Sequence, residues 1–87
     1  MHEQSLMDDL MRKIMNVARE NEASRVKSIN VRLGALTHFS EEHFIEHFNR
    51  SAVGSIAEKA ELQIFISDDI HEPHAQDILL ESIEVES

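Results

Sequence analysis

Val26-Lys27-Ser28-Ile29-Asn30-Val31-Arg32-Leu33, closed by Gly34, alternates apolar and polar residues. Ile29, Val31 and Leu33 fall on one face and Ser28, Asn30 and Arg32 on the other, the period-two pattern of a half-buried strand over 26–33. Gly34 ends the strand and gives the following turn its backbone freedom. Thr37, His38 and Phe39 read as loop. Ser40 then caps a second helix whose first turn carries Glu41 and Glu42. Phe44, Ile45, Phe48 and Ala52 share one side of that helix, which runs to about Val53 and stops at Gly54. After a short connection over 55–61, Leu62, Ile64 and Ile66 mark a second strand. A helix between two strands is a crossover, so those strands are expected to be parallel and the crossover right-handed.

Outward from this unit, residues 5–20 read as an amphipathic helix. Leu6, Leu10, Ile14 and Val17 recur at spacings of three and four, and Met7, Met11 and Ala18 widen the stripe. Methionines at that spacing point to core packing rather than to an adaptable binding surface. Ser5 is the expected N-cap, Asp8 and Asp9 lie near the positive end of the helix dipole, and Asn21 suits the exit. The polar segment 67–77 holds the only proline, Pro73, and reads as a loop. Residues 78–86 form a third strand with Ile83 and Val85 inward, and the short loop makes the last pair antiparallel. The expected fold is α+β, in the order α-β-α-β-β, with two helices packed on one face of a three-stranded mixed sheet.

Composition narrows the function. At 87 residues the chain is read as one domain, 1–87. Eight basic residues against 17 acidic ones leave a net charge of −9, which argues against a nucleic-acid partner. Such a surface concentrates cations and attracts basic proteins. Cysteine is absent, which rules out disulfides, thiolate metal ligands and cysteine nucleophiles in this chain. No apolar run approaches a membrane span of about 18 residues, and no basic-then-apolar leader is seen, so a cytoplasmic location is expected. Trp and Tyr are both missing, which leaves little for stacking on bases or sugars.

The chain start, Met1-His2-Glu3, carries the strongest chemistry. The α-amine of Met1 with the amide and a ring nitrogen of His2 can close around a metal in one chelate plane. The amide nitrogen of Glu3 can complete a square. A planar, all-nitrogen set favours Ni(II) or Cu(II) over tetrahedral Zn(II), and oxygen-seeking Mg(II) or Ca(II) fit poorly. The chelate requires a free amine on Met1. His2 is bulky, so removal of Met1 is not expected.

Two further groups of ligand-type residues stand out. His43-Phe44-Ile45-Glu46-His47 matches the inverted zinc-peptidase pattern H-x-x-E-H. The helix wheel sets His43, His47, Glu46 and Arg50 opposite Phe44, Ile45, Phe48 and Ala52. A solvated face is therefore expected, with at most a weak secondary metal site, and no pocket or third ligand for catalysis. The 67–77 loop collects Asp68, Asp69, His71, Glu72, His74 and Asp77, a set read as a hydrophilic loop rather than a site. Should the chain start pack near the first strand-to-helix loop, His38, Ser40 or Glu41 would bear on the metal.

Four blocks together carry a resemblance that none carries alone. They are Met1-His2-Glu3-x-Ser5-Leu6, Val31-Arg32-Leu33-Gly34-Ala35-Leu36, Gly54-Ser55-Ile56-Ala57-Glu58-Lys59-Ala60-Glu61-Leu62, and Ser82-Ile83-Glu84-Val85-Glu86. In this order they resemble the nickel-binding domain of the hydrogenase nickel-incorporation proteins, the metallochaperones of [NiFe] hydrogenase maturation. The resemblance implies a protein that binds Ni(II) and hands it on during hydrogenase, sometimes urease, assembly. It implies ligation by the terminal amine and His2 with the backbone of Glu3, hence Met1, His2 and Glu3 as metal residues. It also implies a GTPase partner of the same pathway and the hydrogenase large subunit as recipient. Two departures stand beside it. The zinc module with paired Cys-x-x-Cys motifs, usual between the last two strands, is replaced here by the loop 67–77, so no structural zinc is expected. The glutamate common after the strand-ending glycine is Ala35, and an acidic residue implicated near nickel falls at about Ser40, leaving Glu41 as the nearest carboxylate. The resulting expectation is a non-enzymatic, zinc-free nickel chaperone, monomeric or weakly dimeric. The alternative is a metal-independent adaptor that docks on a maturation partner.

Overall fold

The computed structural model describes residues 3–87; the expected ligands Met1 and His2 lie outside them. The elements follow the expected order: α1 (Glu3–Glu20), β1 (Arg25–Leu33), α2 (Glu41–Ala52), β2 (Glu61–Ile66) and β3 (Ile78–Glu86). Both helices lie on one face of a single three-stranded mixed sheet of order β2-β1-β3.

β1 is the central strand. It runs parallel to β2, with Ser28 opposite Glu61 and Leu33 opposite Ile66, as the crossover requires. It runs antiparallel to β3, from Arg25 opposite Glu86 to Leu33 opposite Ile78. β2 and β3 therefore flank β1 instead of pairing as the last two strands. The reason lies in β1 itself: Val26, Ile29, Val31 and Leu33 are all buried, and a strand so apolar belongs where both its edges are bonded. A register shift between Val26 and Ser28 brings Val26 onto the same face as Ile29, which strict alternation forbids.

The loop 67–77 crosses the end of β1 to make this order possible. Ser67 N–H donates to Leu33 O at 2.9 Å, Gly34 N–H to Asp77 O at 3.0 Å, and Leu36 N–H to Ala75 O at 2.7 Å. A Cβ on Gly34 would stand 2.3 Å from the carbonyl oxygen of Ala75 and 2.5 Å from that of His74. Glycine is needed here for the close backbone crossing, not for turn freedom.

The core forms between sheet and helices. Leu6, Met7, Leu10, Ile14 and Ala18 of α1 are buried against Phe44, Phe48 and Ala52 of α2 and the apolar face of β1. Each large side chain buried this way contributes about 1.5–3 kcal/mol. Val17, expected in the stripe, is only half-buried, because Met7 and Ala18 occupy the contact arc. Ser5 is not the cap of α1; the helix already includes Glu3, and Ser5 is an exposed residue of its first turns. Ser40 does cap α2, its Oγ accepting from His43 N–H at 3.1 Å. On β2, Leu62 and Ile64 face the core but Ile66 is exposed, since the helices do not reach the strand end. No helix among the described residues is long and apolar enough to cross a membrane.

Candidate metal centre

The first turn of α1 meets the first two turns of α2. α2 starts where Ser40 sets it, which places His43 and His47 one turn apart on the side facing α1. Glu3 and Gln4 reach across from α1. Glu3 Oε2 stands 3.2 Å from His43 Nε2, with both side chains about half-exposed. Gln4 Oε1 stands 3.0 Å from His47 Nε2. Gln4 Nε2 donates to Asp8 Oδ1 at 2.7 Å, which fixes the amide orientation and turns its oxygen to the imidazole. In the tautomer that donates from Nε2 to this oxygen, Nδ1 is the free nitrogen of His47.

Phe39 forms the apolar wall. Its ring lies edge-on to His43 at 5.5 Å between centroids and 6.3 Å from His47, and the two imidazoles stack at 6.4 Å with planes 16° apart. His47 is only 8% exposed, so the expectation of a solvated histidine face fails for that residue. On the wheel His47 lies about 60° from Phe44, on the flank of the apolar arc. The start of α1 covers that flank. One ligand atom from each of Glu3, His43 and His47 lies within 4.8 Å of the others. This is the one convergence of three His or carboxylate groups among the described residues.

The remaining candidates separate. Glu46, the acid of the peptidase-like pattern, pairs with Arg50 at 3.2 Å on the outer face, both side chains 70% exposed. It has no place among the imidazoles, so the pattern lacks the base that hydrolysis requires. Ser40 uses its hydroxyl as the helix cap, and Glu41 is exposed in the first turn of α2. His38 adopts a left-handed backbone, φ 64°, and borders a depression shared with Leu6, Leu36, Thr37 and Gln76. The strand-to-helix loop thus does approach the beginning of α1, while contacts of Met1 and His2 with it fall outside the described residues.

In the 67–77 loop the polar side chains hold the loop itself. Asp69 N–H donates to Ser67 Oγ at 3.1 Å, His71 N–H to Asp69 Oδ1 at 2.9 Å, and His74 Nδ1 pairs with Asp77 Oδ2 at 3.0 Å. Glu72 folds in against Arg32 at 2.7 Å, and the guanidinium also lies 4.8 Å over the Phe65 ring. The hydrogen bond to Glu72 holds Arg32 above its usual pKa. The spacing of His43 and His47 was visible in the sequence; that the Glu3 carboxylate joins them depends on the placement of another helix, and only its backbone nitrogen was expected to act.

Comparison with known proteins bears on the whole chain. Residues 1–72 match the family model described as HypA, hydrogenase/urease nickel incorporation, metallochaperone. The hydrogenase maturation factor HypA of Rhizobium leguminosarum bv. viciae is 36% identical over 64 residues, 74% of this chain and 57% of that protein. The Archaeoglobus fulgidus protein of the same name is 35% identical over 66 residues, 76% of this chain and 60% of the relative. That of Aquifex aeolicus is 43% identical over 63 residues, covering 71% and 54%. The chain thus spans under two thirds of the length of these relatives. The solution structure of the Ni metallochaperone HypA from Helicobacter pylori shares the fold, with a TM-score of 0.81 at 19% identity over 100% of this chain and 99% of that one.

Proposed function

This chain belongs to the HypA family of hydrogenase/urease nickel-incorporation metallochaperones, and we propose that it captures Ni(II) at its own first residues and passes it on during enzyme maturation. The observation that carries this reading is the family match from residue 1, which includes Met1-His2-Glu3. The proposed ligands are the Met1 amine, the amide and ring nitrogens of His2, and the amide nitrogen of Glu3. Four nitrogens in a plane suit Ni(II). Since Glu3 belongs to the first turn of α1, the helix anchors the chelate to the core through Leu6 and Met7.

Binding displaces amide protons, so acid or competing ligands on a partner surface drive release. The partners proposed are the GTPase of the same pathway and the hydrogenase large subunit. The protein acts as a single nickel-binding domain without catalysis of its own. Its lack of cysteine leaves this chain no Cys-x-x-Cys zinc module, so docking falls to the fold described above.

Calorimetric titration of Ni(II) into untagged protein tests the proposal. Tight 1:1 binding is expected in the parent, with affinity at least a hundredfold weaker, about 2.7 kcal/mol, in His2→Ala and in a chain whose Met1 α-amine is acetylated. Equal affinity in all three leaves the metal-independent adaptor.

A further inference from the structure

We infer that Glu3, His43 and His47 form a second metal site, selective for a Zn(II)-type divalent ion and distinct in its donor atoms from the terminal chelate. Glu3 contributes its carboxylate here and only its amide nitrogen there. Two neutral imidazoles and one carboxylate make a donor set that holds Zn(II) while leaving a fourth position open. The three donors come from side chains on two helices, with no backbone nitrogens among them, and nothing enforces a plane. That geometry favours a tetrahedral ion over square-planar nickel.

The distances fit. Bonds of about 2.0–2.2 Å to a tetrahedral ion set neighbouring ligand atoms roughly 3.3–3.5 Å apart. Glu3 Oε2 and His43 Nε2 already stand at 3.2 Å, and no donor of the trio is beyond 4.8 Å from the others. A small rotation of one side chain closes the site. Its supports are present as well. Gln4 pairs with His47 Nε2 and is itself held by Asp8; in the tautomer that donates to Gln4, this outer-shell arrangement leaves the other ring nitrogen for a metal. Displacing Gln4 would release Nε2 instead. Phe39 closes the apolar side, while the half-exposed Glu3 and His43 leave a path for the ion and an exchangeable fourth ligand. Without metal, Glu3 and His43 form an interhelical ion-pair contact and His47 a hydrogen bond with Gln4, and that is the competing account.

The test removes the chelate and leaves this site. A His2→Ala chain with its α-amine acetylated is titrated with Zn(II) by calorimetry and with Co(II) followed by visible absorption. One equivalent of each is expected, with the ligand-field bands of low-coordinate Co(II). His43→Gln and Glu3→Gln, both at half-exposed positions, are expected to weaken binding at least tenfold with unchanged circular dichroism. His71→Gln with His74→Gln should bind as the parent does. No stoichiometric binding, or undiminished binding in His43→Gln, would overturn the site and leave the hydrogen bonds as a structural link. Because the acetylated His2→Ala chain cannot form the terminal chelate, neither result bears on the nickel reading, which rises or falls with the untagged protein.

Discussion

The α1–α2 junction holds two histidines and a glutamate, and the 67–77 loop holds two histidines among five acidic or amide side chains that include Asp69, Glu72 and Asp77. By ligand count the loop is the richer region. In space the order reverses. At the junction, α1 and α2 arrive at fixed positions and aim Glu3, His43 and His47 at one point. In the loop, Asp69 caps His71, Asp77 takes His74, and Glu72 is drawn to Arg32, so these carboxylates hold the loop instead of converging. Convergence from separate rigid elements makes a site; local abundance makes a well-knit loop.

The contrast can be broken most severely at Gly34. Gly34→Ala drives a methyl into the backbone of Ala75 and His74, which must move. A loss of about 3 kcal/mol is expected, a fall of roughly 15 °C in melting temperature for a domain this size. Below that melting temperature, metal binding at the junction should persist in the acetylated His2→Ala background, while amide exchange in the loop rises. Retained loop protection would show that the crossing does not depend on glycine.

A smaller effect sharpens the other half. Ser40→Ala removes the cap that receives His43 N–H and should cost about 1 kcal/mol, read by thermal unfolding. It should also weaken Zn(II) binding, since it frays the turn that orients His43. Loop exchange rates should stay as they are.

The smallest expected effect lies on α1, where Asp9 borders a depression shared with His74 and Asp77 of the loop. Hydrogen bonds from Lys13 first and Arg12 second hold the Asp9 carboxyl below its usual range. A carboxylate whose folded pKa is depressed stabilises the fold above its unfolded pKa, and the contribution is lost as pH falls through the lowered value. Asp9→Asn should therefore be slightly less stable than the parent near neutrality and match it once the pH falls below the usual carboxylate range. Its partners are largely exposed, so the difference is small.

Much of the fold was legible because each element signals locally. Alternation at Ile29, Val31 and Leu33, the Ser40 cap and the helical stripe of Leu6, Leu10 and Ile14 placed every element to within a few residues. Strand pairing was harder to see. That β3 lies beside β1 depends on the loop crossing at Gly34, a long-range backbone contact that turn propensity does not report. The junction was half legible. His43 and His47 share a face by periodicity, but the burial of His47 is imposed by the start of α1, and helix-wheel reasoning treats each helix alone. Glu3 was identified for its backbone nitrogen; the role of its carboxylate depends on where a second helix lies.

Proton NMR of untagged protein with one equivalent of Ni(II) tests the central claim, capture by the chain's first nitrogens, most directly. Square-planar Ni(II) is diamagnetic, so the account predicts sharp resonances throughout, with shifts confined to His2, Glu3 and their neighbours. Paramagnetic broadening centred on His43 and His47, with His2 unaffected, would contradict it.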